Sequence, residues 1–201
     1  MIPIFWFDKD GVLAKYDYAM YESEAGAPAP WTIRNAHIYR HLDTYENMAA
    51  AFRSLYSNYG NKAEKDCVLR PRVLTSVSDG LTLSEHVLDG MSWCQERLHL
   101  RPSDFYACAV PKESIPVSLK REITRMDVLL DDYMPNLINW QKAGGTSVKV
   151  LNGINSPTDK FHCISVAWTT DFLITRMKEI ADKVRNDERL CGGLNILHGT
   201  L

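Results

Sequence analysis

Two aspartates one residue apart, Asp8 and Asp10, follow the apolar run IPIFWF, and Gly11 comes directly after them. A pair in that position suits nucleophilic or acid–base work, because successive side chains of an extended chain point in different directions. One carboxylate can meet a reacting atom while the other handles a proton. A second acidic pair, Asp131 and Asp132, ends the run DVLLDD. Between the two pairs come Thr75 and Ser76, at the end of RVLTSV, and Lys112, just after DFYACAV. Carboxylates converging from two segments could hold one hard cation such as Mg2+, which takes oxygen ligands and offsets the repulsion among the acids. Hydroxyls and a lysine beside them suit a phosphoryl group. Gly11 permits a tight turn, so that backbone N–H groups can face an anion.

These groups need elements that bring them together. Residues 2–7, 72–77, 104–110, 127–132 and 147–153 are short apolar runs rich in aromatic and β-branched residues, and they read as buried strands. Helical patterns lie between and after them. In residues 44–60, Met48, Phe52 and Leu55 repeat on one face before Gly60. In residues 83–98 the spacing predicts a face of Val87, Met91, Cys94 and Leu98. Residues 134–145 end in a Gly pair suited to a helix C-terminus, and 171–187 carry Leu173, Met177, Ile180 and Val184 at helical spacing. Strands alternating with helices predict an α/β layer fold with a mostly parallel sheet, in which ligands bind outside the carboxyl ends of the strands. All the groups named above sit there. Residues 14–41 break the alternation and carry five aromatics, so they read as a small cap insertion within a single domain spanning 1–201.

Composition narrows the function classes. With 201 residues, 45% of them hydrophobic, the chain can bury a real core. A formal charge of -2 with no basic run argues against bulk nucleic-acid binding. Five cysteines without a CxxC spacing fit a reducing cytoplasm, and no run of about 18 apolar residues exists to span a membrane. A cytoplasmic protein without a leader is expected.

Simpler readings stand beside these. Asp8 and Asp10 could be a turn and helix-cap pair, and Thr75 could cap the next helix. Lys112 could be an ordinary solvated lysine, since Lys120 lies closer to the second acidic pair. His37 and His41 have the spacing of a helical metal pair but lack a third ligand. The aromatics Tyr16, Tyr18, Trp31 and Tyr39 could stack on a base or simply form the cap's own core. NGIN (152–155) could line the site or be a plain turn.

In order and strand context, DKDGVL, Thr75–Ser76, Lys112 and VLLDDYMPNL resemble the four motifs of the haloacid dehalogenase-like (HAD) hydrolase superfamily, over about residues 4–153. More narrowly, IYRHLDTYENM, the TS pair and LLDDYMPNLINWQKAGG are similar to the 5'(3')-deoxyribonucleotidase branch, with its phage and bacterial 5'-nucleotidase-like members. The resemblance implies a three-layer sandwich around a Rossmann-like sheet, with the cap inserted after the first strand. It implies a Mg2+-dependent phosphomonoesterase working through an aspartyl-phosphate, with Asp8 as nucleophile and Asp10 as acid and base. Asp8, the backbone carbonyl of Asp10 and Asp131 would hold Mg2+; Thr75, Ser76 and Lys112 would hold the phosphate. Asp132 would stand further out, fixing a metal water or Lys112. The partner would be a small phosphomonoester, in the first instance a nucleoside monophosphate. A sugar phosphate, or a non-catalytic phospho-ligand-binding regulatory module on the same fold, are the alternatives, and a homodimer is left open.

Overall fold

Six strands form one sheet in the order β3-β2-β1-β4-β5-β6, and every neighbouring pair is parallel. They are β1 (Ile4–Phe7), β2 (Arg70–Ser76), β3 (Phe105–Cys108), β4 (Asp127–Asp131), β5 (Thr146–Leu151) and β6 (His162–Ser165). Among the described residues the α-helices are α1 (Ile38–His41), α2 (Glu46–Tyr59), α3 (Leu83–Leu98), α4 (Met134–Lys142) and α5 (Thr170–Arg185). The structure is a computed structural model and describes residues 1–16, 37–77, 83–115, 119 and 121–186. Tyr18, Trp31, Lys120, Cys191, most of the expected cap and the chain after Arg189 lie outside the described residues.

Alternation along β1 divides the core. Phe5 and Phe7 face the layer that contains Phe52 of α2, Trp93 of α3 and Met177 of α5. Trp6 faces the opposite layer, with Leu137 and Trp140 of α4. Edge contacts join strand to helix on both sides, Phe7 to Phe52 at 5.0 Å and Trp6 to Trp140 at 6.4 Å between ring centres. A parallel sheet must be covered on both faces, and this division produces the three-layer sandwich.

Local sequence sets the helix ends. Thr169 caps α5, its side chain accepting from Phe172 N at 3.4 Å, and Lys183 and Arg185 sit in the last turn, where the helix dipole favours cations. After α4 the chain turns at Gly144, with φ 102°, and Gly145 packs so closely that a Cβ there would lie 2.3 Å from Trp140 Nε1.

Three expectations change. The sixth strand, β6, was not foreseen, because HCIS is short and flanked by polar turns. The buried face of α3 is His86, Asp89, Gly90, Trp93, Cys94 and Leu98, whereas Val87 and Met91 are half-buried. That helix meets polar groups near the site, so apolar spacing alone picks the wrong stripe. In residues 14–41, Ala14 and Tyr16 belong to the main core, and Ala14 bridges to Thr44 just ahead of α2.

The end of the sheet opposite the strand C-termini is pinned by Asp127. It accepts from Trp6 Nε1 at 3.0 Å, from Arg121 at 2.7 and 2.5 Å and from the Thr124 N–H at 3.0 Å. Asp127→Ala should destabilise the protein by about 2–4 kcal/mol, since a buried charge network is broken while Arg121 can resolvate. Urea unfolding measures the loss. Any activity per folded molecule should stay within about twofold, because Asp127 and the acidic cluster lie at opposite ends of β4.

Candidate active site

Strand order reverses at β1: β2 and β3 extend to one side, β4 to β6 to the other. The crevice of a doubly wound sheet opens at that switch point. Register fixes what reaches it. Phe7 pairs with Val73 and with Leu130, so Asp8 and Asp131 leave β1 and β4 at the same level, tied by Asp8 N–H to Leu130 O at 2.9 Å. Thr75 stands two residues beyond Val73, level with Lys9.

Asp8, Asp131 and Asp132 each bring an oxygen within 4.8 Å of the others, and all three are buried. Lys112, in a short 3-10 turn after β3 and 0% exposed, reaches into this cluster. Its ammonium donates to Asp131 Oδ2 at 2.7 Å and lies 2.9 Å from Asp8 Oδ1. Burial alone would lower the lysine, but Asp131 and Asp8 outweigh it and hold Lys112 well above the ordinary lysine range. Burial also pushes Asp8 well above the usual carboxylate range, with Asp131, Asp132 and Asp10 adding to the effect against Lys112. Asp132 is raised to about 7 by burial and by Asp131, against its bond from Asn152 and the charge of Lys112. One ammonium cannot offset three carboxylates.

The two neighbours of the second acidic pair differ. Asp131 accepts from Lys112, from Asn136 Nδ2 at 3.0 Å and from the Tyr133 N–H at 2.8 Å. Asp132 accepts at Oδ2 from Asn152 Nδ2 at 2.9 Å, while its buried Oδ1 has no hydrogen-bond partner among the described residues. A buried carboxylate oxygen left unpaired is expensive, and a cation is the partner that such an oxygen fits. The donor set, all oxygen and all at strand ends, matches Mg2+ chemistry. Asp131 is thus held by three protein donors, and Asp132 by Asn152 at one oxygen.

NGIN belongs to this site. Asn152 Nδ2 also donates to Gly11 O at 3.0 Å, and Asn155 Nδ2 donates to Asp132 O at 3.2 Å. Gly11 has φ 84°, and a Cβ there would lie 2.4 Å from Asp132 Oδ2, so only glycine lets the turn after Asp10 pack on that carboxylate. Its N–H, expected to face an anion, instead donates to Ala14 O at 2.9 Å.

The remaining candidates are placed as follows. Asp10 is held at Oδ1 by Lys9 Nζ at 2.6 Å, and a small cavity is lined by Lys9, Asp10, Thr75 and Ser76. Residues 11–16 contain no helix and Thr75 lies within β2, so neither Asp10 nor Thr75 caps a helix. Tyr16 is buried with its ring stacked on that of Tyr39 at 6.2 Å, and Tyr39 also meets His86 edge-on at 4.5 Å. This is the packing of a core aromatic, while Tyr18 and Trp31 lie outside the described residues. His37 pairs with Asp89 at 3.0 Å and is no metal pair with His41.

The fold recurs in solved structures. A HAD family hydrolase from Deinococcus radiodurans R1, with bound phosphate and sodium, matches over 89% of this chain and 96% of its own, with a TM-score of 0.54 and 10% identity. D,D-heptose 1,7-bisphosphate phosphatase from B. bronchiseptica, complexed with magnesium and phosphate, matches over 87% and 99%, with a TM-score of 0.53 and 11% identity. The chain has the HAD hydrolase fold. No protein-family model and no curated protein matches it. Within this HAD fold the acidic cluster occupies the carboxyl ends of β1 and β4. Lys9 has no role legible in the sequence beyond being the charged residue inside DKDG, whereas NGIN, directly after β5, is already a candidate there to line the site.

The raised Asp132 has a measurable sign. In chelator, between about pH 4 and about pH 7, the native state keeps a proton on Asp132 that the unfolded chain has released. Stability should therefore fall as pH rises through that window, by on the order of 4 kcal/mol at most. Asp132→Asn should flatten the profile in chemical denaturation, and equal slopes in the two proteins would refute the assignment.

Proposed function

We propose that this protein is a Mg2+-dependent phosphomonoesterase that works through an aspartyl-phosphate on Asp8. The observation that carries the reading is the buried cluster of Asp8, Asp131 and Asp132 around Lys112, with one Asp132 oxygen left without a partner at the switch point of a HAD fold. Asp8, Asp132 and the backbone carbonyl of Asp10 would hold the cation, with Asp131 beside them fixing Lys112. When bound, Mg2+ supplies positive charge against the acids and the phosphoryl oxygens.

The chain's own groups divide the work. Asp8 attacks phosphorus, which splits one hard displacement into two easier ones. Lys112 neutralises a phosphoryl oxygen, while Thr75 Oγ1 and the Ser76 backbone and hydroxyl bind others. Asp10 gives a proton to the departing alkoxide and then takes one from the water that releases phosphate. Positioning and charge stabilisation account for most of what a protein contributes to phosphoryl transfer.

The substrate class is a small phosphomonoester, and the nucleotidase-like segments make a nucleoside monophosphate the first to test. A structural neighbour that is a heptose bisphosphate phosphatase keeps sugar phosphates in the panel. Phosphate release from nucleoside monophosphates and sugar phosphates, measured with Mg2+ and with chelator, decides between them. Asp8→Asn should lower turnover by at least about 10³-fold with little change in fold, as expected when a covalent nucleophile is removed. A sugar-phosphate preference would replace the nucleotide. A stable aspartyl-phosphate without turnover would make the protein a regulatory phosphoacceptor.

Asn152 gives a second prediction. Asn152→Ala frees Asp132 from its only side-chain donor among the described residues and should weaken Mg2+ binding about 10- to 100-fold by calorimetry, with Lys112 and Asp131 undisturbed.

A further inference from the structure

The phosphatase chemistry uses both aspartates of DKDG and leaves the lysine between them unexplained. Lys9 is 1% exposed, although lysine is almost never buried without a partner. Its ammonium lies 2.6 Å from Asp10 Oδ1, 5.0 Å from the centre of the Trp93 ring and 5.3 Å from that of Tyr39. Aromatic faces attract a desolvated cation, and two of them hold this one where water is excluded. Trp93 is itself fixed, donating from Nε1 to Leu42 O at 2.7 Å. The ammonium is thus the rigid member of the pair. Asp10 has a side chain 19% exposed and lines the same small cavity as Thr75 and Ser76.

We propose that Lys9 is the positioning residue for Asp10. The slot of Trp93 and Tyr39 fixes the ammonium, and the ammonium fixes one oxygen of the carboxylate that moves protons at the cavity. This rests on the phosphomonoesterase reading above and deepens it. In the first step the bond from Asp8 oxygen to phosphorus forms, the bond from phosphorus to the ester oxygen breaks, and the departing alkoxide takes the proton carried by Asp10. In the second, water bonds to phosphorus, its proton passes to Asp10 and the Asp8–phosphorus bond breaks. Inorganic phosphate leaves, with Asp8 free and Asp10 protonated again. Both steps require the Asp10 carboxyl in one place.

Leaving groups separate positioning from mere structural support. p-Nitrophenolate departs without a proton, whereas an alkoxide requires one. In the full chain with Mg2+, Lys9→Met keeps a long apolar side chain in the slot and removes the charge. Rapid-quench kinetics should show a p-nitrophenol burst within about twofold of wild type. The turnover that follows, and transfer from an alkyl phosphate, should both fall by about 10²-fold, the scale of general acid–base catalysis. Parallel loss in burst and turnover would overturn the proposal, as would faster turnover, which would make the ion pair a brake. If Lys9→Met does not fold, Tyr39→Leu removes one wall of the slot and keeps both charges. It should show the same split at smaller size, and absence of a split would overturn the proposal.

A measurement without substrate adds to this. Asp10→Ala strands a buried ammonium, so its Tm should fall, and Lys9→Met in the same chain should restore it. An unchanged Tm in Asp10→Ala would overturn the pairing. A wild-type chain that releases no p-nitrophenol overturns the phosphatase reading and this inference with it; a wild-type burst without the split overturns this inference alone.

Discussion

Repulsion among Asp8, Asp131 and Asp132 is the constraint around which the molecule is arranged. Two unit charges about 4 Å apart repel by about 4 kcal/mol at an effective dielectric of about 20, and oxygens of these three buried carboxylates lie within 4.8 Å of one another. Lys112 answers part of it. To do so it must come from beyond β3, two strands away from β1, so the turn after β3 folds back across the end of β2 and packs against α4. Burial and mutual repulsion raise Asp8 and Asp132 above the usual carboxylate range.

Adjacent residues are then separated by their surroundings. Asp131 is saturated by Lys112, Asn136 and a backbone N–H, so it behaves as a fixed counter-charge. Asp132 is held at one oxygen and open at the other. The first acidic pair divides in the same way: Asp8 faces the cluster and Lys112, while Asp10 is drawn by Lys9 to the cavity edged by Thr75 and Ser76. In each pair the two carboxylates are held by different partners.

Much of the layout is readable from residues. Apolar runs such as DVLLD and IFWF declare buried parallel strands, and the groups at their ends declare a site there. Lys112 is expected at the site because it follows a strand, and its ammonium reaches Asp131 and Asp8. What resisted reading has physical causes. HCIS is an edge strand of four residues and carries too little periodicity to show. The inner face of α3 includes His86, Asp89 and Gly90, which an apolar pattern discards. Sequence cannot tell Asp131 from Asp132, since both end the same strand; the difference lies in Asn136 and Asn152, brought from two other segments. Lys9 reads as a solvated lysine until Trp93 and Tyr39 close over it.

The strand that carries Asp8 sits in the middle of the sheet, and Ile4 pairs with both Arg70 and Asp127, far along the chain. Neither contact is local, so β1 gains its two hydrogen-bonded neighbours only after long loops have closed. Until β4 docks, the segment IFWF is an unpaired, uncharged apolar strand. That is a description of a slow late step in folding, and of the stretch most exposed to wrong pairing with another chain during it.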